Sequence, residues 1–178
     1  TLNTYSTTPE RLEANDLSDK FGFFHKKAID LAMEAIEHTQ KNVLIAGCLP
    51  PLVWSYRPDK APDYERCVDL YLQIVREQEE DVDLFICETM ASLKEAKAAV
   101  SAAKTSGKPV WCGLTLEDNE NCELRSGEKL LDSVIALQSF GQEEFLLNCS
   151  FPEVINKGID ILSKNTDFFG GYANGFTS

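Results

Sequence analysis

A chain of 178 residues with 43% hydrophobic and 26% charged residues has the make-up of one ordinary globular domain, read here as residues 1–178. Its 29 acidic against 17 basic residues give a net charge of -12, which repels phosphate backbones and anionic lipid and argues against nucleic acid or a membrane as partner. The longest apolar run, NVLIAGCLPPLVW, is broken by Pro50 and Pro51 and falls short of the roughly 20 residues that cross a bilayer.

In chain order, TLNTYS (1–6) reads as a strand. From Lys20 to Gln40, Phe21, Phe24, Ala28, Leu31, Ala32, Ala35 and Ile36 recur at helical spacing. NVLIAG (42–47) is a compact apolar run ended by glycine, as in a strand buried on both faces. After an irregular stretch from Leu49 to Ala61, Pro62 opens a helix with Tyr64, Val68, Tyr71, Leu72 and Val75 on one stripe. VDLFICE (82–88) is the next strand. Ser92 and Glu95 form a capping-box pair, and the helix they start stops at Gly107. KPVWCGLTL (108–116) is a strand, Gly127 to Ser139 a helix ended by Gly141, and EFLLNC a strand. A last helix carrying Ile155, Ile159 and Leu162 leads to DFFGGY (167–172).

Strict alternation of strand and helix, with short continuous apolar strands, predicts an α/β fold with a parallel sheet wrapped by helices. Two architectures fit: an open doubly wound sheet, whose dinucleotide-binding version carries a GxGxxG turn absent here, and a closed (β/α)8 TIM barrel, which needs eight units. About six strands are countable, so a barrel would be incomplete. No leader-like segment opens the chain. The six cysteines, Cys48, Cys67, Cys87, Cys112, Cys122 and Cys149, show no CxxC spacing, which suits reduced thiols in a cytoplasmic protein.

In parallel α/β folds chemistry gathers at the carboxyl ends of strands. Those ends are Asn3 to Ser6, Gly47 to Pro51, Glu88 with Thr89, Leu114 to Asp118, Asn148 with Cys149, and Tyr172 to Phe176. Glu88 ends an apolar run; it either caps the next helix or faces a ligand, and because Ser92 already fills the capping place, a substrate amine is the better match. Cys149 is either a small buried hydrophobe, like Cys48, Cys87 and Cys112, or a sulfur aimed out of a strand's exit, between Asn148 and Ser150-Phe151-Pro152. His25 and His38 lie on one helix, too far apart to share an ion, and read as surface or satisfied side chains. Gly170-Gly171 could cradle a phosphate, or serve a tight turn. Another reading, a barrel lyase or isomerase with Glu88 as base, lacks a metal or phosphate site to complete it.

Taken together, LNTYSTTP, LIAGCLPPLVWSYRPD, FICETMASLKEA, GKPVWCGLTLED, LLNCSFPEVI and GGYANGF resemble the homocysteine S-methyltransferase family, in order and over nearly the whole chain. The resemblance implies a (β/α)8 barrel that transfers a methyl group from a sulfonium or ammonium donor to homocysteine, giving methionine. It implies zinc as cofactor, activating the substrate thiol, with Cys149 as one metal ligand, Glu88 holding the homocysteine amine and Asn174 lining the same pocket. The family's acidic glycine-rich first strand and its final Gly-Gly-Cys-Cys element have no counterpart here. The chain therefore corresponds to strands two to seven, truncated at both ends, with an incomplete zinc site. A non-catalytic binding or assembly module is the alternative function, and its two open sheet edges would favour a homo-oligomer that covers them.

Overall fold

The computed structural model describes residues 1–39 and 41–175; Gln40, and Phe176 of the YANGF motif, lie outside them. Five strands, β1 (Ala46–Leu49), β2 (Leu84–Met90), β3 (Val110–Leu114), β4 (Glu144–Asn148) and β5 (Phe168–Tyr172), form one sheet in the order β1-β2-β3-β4-β5. Every neighbouring pair is parallel. A doubly wound sheet reverses its strand order at a switch point; this one never does, so each unit lies beside the one before it, as in an arc of a (β/α)8 barrel. None of the helices in the described residues is long and apolar enough to cross a membrane.

The helices are α1 (Pro9–Glu13), α2 (Phe21–Thr39), α3 (Tyr64–Gln78), α4 (Leu93–Lys104), α5 (Leu130–Gln138) and α6 (Pro152–Leu162). Thr8, Asp63 and Ser92 start α1, α3 and α4 by accepting the N–H of Arg11, Arg66 and Glu95 at 3.3, 2.9 and 3.2 Å, which satisfies a donor that has no partner within its own helix. Just past α4 and α5, Gly107 and Gly141 take left-handed φ values of 71° and 81° that few other residues tolerate.

Burial alternates along the strands. Phe85 and Cys87 of β2, Val110 and Cys112 of β3, and Phe145 and Leu147 of β4 are buried in the core that the sheet shares with its helices. The intervening Leu84, Ile86 and Glu88, with Trp111 and Leu146, lie half-exposed on the opposite face.

The backbone departs from sequence-based expectation in several places. Among the described residues there are five strands rather than six, because residues 1–6 meet β1 through one bond, Leu2 N–H to the Ala46 carbonyl at 2.8 Å, and then turn, with Thr7 N–H on the Thr4 carbonyl at 2.9 Å. The strand expected from residue 42 starts at Ala46. Val43 and Leu44, 51% and 67% exposed, precede the point where Asp83 first brings β2 alongside by bonding Ile45. In α2 the inward face is carried by His25 and Ile29, while Leu31 points outward. Gly170 and Gly171 lie inside β5, not in a phosphate-binding or turn loop; a Cβ on Gly171 would stand 3.1 Å from both the Leu147 carbonyl and Ile155.

Candidate functional site

The irregular segment after β1 is held in place by buried polar groups. Arg11 donates to the carbonyls of Tyr5, Pro51 and Val53 at 2.8–2.9 Å. Thr8 Oγ1 donates to the Leu52 carbonyl at 2.6 Å, and the Tyr71 hydroxyl donates to that of Pro50 at 2.9 Å. Glu95 was expected to close a capping box with Ser92. Its carboxylate instead accepts the Leu52 N–H at 3.0 Å and lies 3.2 Å from the Tyr71 hydroxyl, whose one proton it shares with the Pro50 carbonyl. The loop from Pro50 to Ser55 is thus a fixed wall at the carboxyl end of the sheet, and it delivers Tyr56 there.

Cys149 follows β4 directly in a left-handed conformation, φ 58°, and Thr89 at the end of β2 has φ 59°, a costly value for a β-branched residue. One side chain joins the two. Asn148 accepts the Thr89 N–H on Oδ1 at 3.3 Å, and its Nδ2 donates to Thr89 Oγ1 at 2.8 Å and to the Cys149 sulfur at 3.1 Å. Thr89 Oγ1 itself lies 3.4 Å from that sulfur. Cys149 is half-buried, whereas the other five free cysteines are buried. Its sulfur therefore stands at the carboxyl rim beside the residue that follows Glu88.

Glu88 is half-buried on the open face of β2, and burial raises its carboxyl above the usual value of 4.5. Tyr172 connects the two groups: burial first, and then the nearby Glu88 and Cys149, raise its phenol. Asn174 lies just past β5, where its N–H bonds the Ser150 carbonyl at 3.0 Å, next to the Cys149 turn. The three residues singled out from sequence thus meet at one rim. Tyr5, whose hydroxyl bonds Ser55 Oγ at 2.9 Å, and Tyr56 stand beside them.

Space at this rim depends on Gly113. A Cβ there would lie 3.0 Å from the Cys87 carbonyl and 3.3 Å from Asn148 Oδ1, so the bare backbone is what lets the Asn148 amide reach Thr89. Gly113→Ala is expected to displace that amide and to cost about 1–3 kcal/mol, typical of overpacking. Urea unfolding checks this, and an unchanged midpoint would mean that β3 yields instead.

His25 takes no part. It is buried, with Nε2 on the Thr7 carbonyl at 3.1 Å and Nδ1 facing Gln78 Nε2 at 3.1 Å, and burial lowers its pKa. His38 is exposed beside Glu34.

A zinc ion in a catalytic site takes three protein ligands. Among the described residues no group of three or more histidine, cysteine, aspartate or glutamate side chains is placed to hold a metal. The single rim thiol of Cys149 does not fit such an ion unaided, and no chemical step is derived through one.

An arc of parallel β/α units with a thiol, a carboxylate and several hydroxyls gathered at its strand ends belongs to the (β/α)8 barrels that work at that face. The whole chain, residues 1–178, matches the family described as Homocysteine S-methyltransferase, and it belongs to that family. Solved structures of the homocysteine methyltransferase MmuM from Escherichia coli share the fold. The metallated form superposes with a TM-score of 0.77 at 19% identity, covering 99% of this chain and 74% of that one. The oxidized form gives 0.76 at 19%, with the same coverage, and the apo form 0.63 at 17%, covering 89% and 71%. No curated protein matches the chain in sequence.

Proposed function

We propose that this chain binds homocysteine at the carboxyl rim of its sheet and serves methyl transfer from a small sulfonium or ammonium donor to the homocysteine sulfur, giving methionine. The observation that carries the reading is the Asn148 bridge, which holds the Cys149 sulfur beside Thr89, the residue after Glu88, in a chain of this family. In it, Glu88 accepts the homocysteine ammonium. A carboxyl whose pKa burial has raised gains most from such a partner, because the cation favours the charged form that burial penalises. Asn174 lines the same pocket. Cys149 is the one thiol of the rim that the reading assigns toward zinc, a place it does not fill by itself. Six unpaired cysteines suit a reducing compartment, and we assign the cytoplasm.

Isothermal titration with homocysteine tests the reading. Glu88→Gln keeps the shape and removes the charge, so affinity is expected to fall about tenfold to a hundredfold, the worth of a charge-assisted hydrogen bond. Equal affinity in parent and variant would remove Glu88 from the role, and a parent that does not bind would remove the function.

A second reading, a binding or assembly module, is favoured by β5. Among the described residues this strand has a neighbour on one side only, and it exposes Phe168 and Phe169 at 56% and 37%. Exposed apolar edges invite pairing, so this reading expects self-association in light scattering, and a strictly monomeric species would count against it.

A further inference from the structure

We propose that Arg125, seated on the ring of Tyr56, is a positioning residue that sets the direction of the Cys149 sulfur; this rests on the rim function proposed above. Arg125 lies in the loop between β3 and α5, and its side chain is 11% exposed. Its Nε donates to Thr115 Oγ1 at 3.3 Å, and its Nη2 donates to Asp118 Oδ2 at 2.9 Å and to the Cys149 carbonyl at 3.3 Å. Glu117 is 3.8 Å from Nη1, so two carboxylates face the one guanidinium. The guanidinium carbon stands over the Tyr56 ring, 4.4 Å from its centre. Tyr56 is itself held in a left-handed conformation, φ 62°, by the fixed loop after β1, and its phenol is raised to about 12 by burial and then by the adjacent Cys149 sulfur.

One side chain thereby ties together the loops that follow β1, β3 and β4. The turn it grips is loosely bonded: the left-handed Cys149 has its own N–H on the Tyr172 carbonyl at 3.3 Å, and its carbonyl accepts from Thr115 Oγ1 and Arg125 Nη2, each at 3.3 Å, so Arg125 holds it both directly and through the Thr115 hydroxyl that it bonds. Asp118 extends the hold, since its other oxygen accepts the Phe151 N–H at 2.8 Å at the start of α6. Lysine cannot take this place. An ammonium is a point charge that can neither reach three separated acceptors nor offer a flat face to an aromatic ring.

The test is amide hydrogen exchange at Cys149, read by nuclear magnetic resonance on the full chain without homocysteine. Arg125→Lys and Tyr56→Leu are each expected to speed exchange at Cys149 about fivefold, the opening expected when one hydrogen bond's net contribution is lost, while amides in the middle of β2 and β3 keep their rates. Rates at Cys149 that match the parent, or a rise shared by the whole sheet, would overturn the proposal. Its failure is separable from that of the proposed function. A chain that binds homocysteine but whose Cys149 amide ignores both substitutions loses only the clamp. A responsive amide in a chain that does not bind homocysteine loses only the function.

Discussion

Asn148→Ala is expected to lower the free energy of unfolding by about 2–4 kcal/mol, because it strips two buried groups of Thr89, an N–H and a hydroxyl, of their shared partner. Thr89 is fully buried, so water cannot replace the lost amide. The substitution also withdraws support from two left-handed residues, Thr89 and Cys149, whose conformations persist only where neighbours impose them. Urea denaturation measures the loss. A change below about 1 kcal/mol, the net worth of one ordinary hydrogen bond, would mean that Thr89 finds another partner and that the bridge is not what holds the rim.

Glu95→Ala is expected to cost about 2–3 kcal/mol, since the buried Leu52 N–H loses its acceptor and a cavity opens beneath the loop that carries Tyr56. Glu95→Gln should behave in the opposite sense. Burial raises the Glu95 carboxyl above its usual 4.5, against the opposing bonds from Leu52 and Tyr71. An acid whose folded pKa is raised binds its proton more tightly when folded, so its contribution is fully present below the usual value and is lost as pH rises through the folded one. The amide keeps the Oε1 acceptor and has no charge to desolvate. Glu95→Gln is therefore expected to match the parent near pH 4 and to exceed it at neutral pH. Parallel stability curves for the two proteins from pH 4 to 7 would show that the buried carboxylate has no such cost.

Much of the fold was legible because its signals are local. Alternating apolar strands and amphipathic helices, the Ser92 cap, and Gly107 and Gly141 as stops each depend on residues a few positions apart, and the helices of α3, α4, α5 and α6 and the strands β2 to β5 appear where those patterns put them. Misreadings arose where a local pattern was overruled by what lay beside it. Val43 and Leu44 are apolar enough for a strand but have no neighbouring strand at that height. Glu95 stands three residues after a cap, yet the buried Leu52 N–H takes its carboxylate. Of the rim, Glu88, Cys149 and Asn174 could be listed from strand ends alone, whereas the bridging role of Asn148 could not, because its partner Thr89 is 59 residues away. Arg125 gave no signal, because it sits in a loop well past β3 and gains its place only through contacts with Cys149, Asp118 and Tyr56.

By itself the sequence determined the order and kind of the elements from α3 onward, the family they resemble, and which residues stand at those strand ends, since each follows from neighbours along the chain. Only the tertiary structure decided that the sheet runs in unreversed order, that residues 1–6 turn away from β1 after a single bond, and that Thr89, Asn148 and Tyr56 meet at the Cys149 sulfur while Arg125 reaches its carbonyl. Those contacts join positions up to 93 residues apart, Tyr56 to Cys149. No spacing rule along a chain encodes a distance that exists only once the sheet has brought its strand ends side by side.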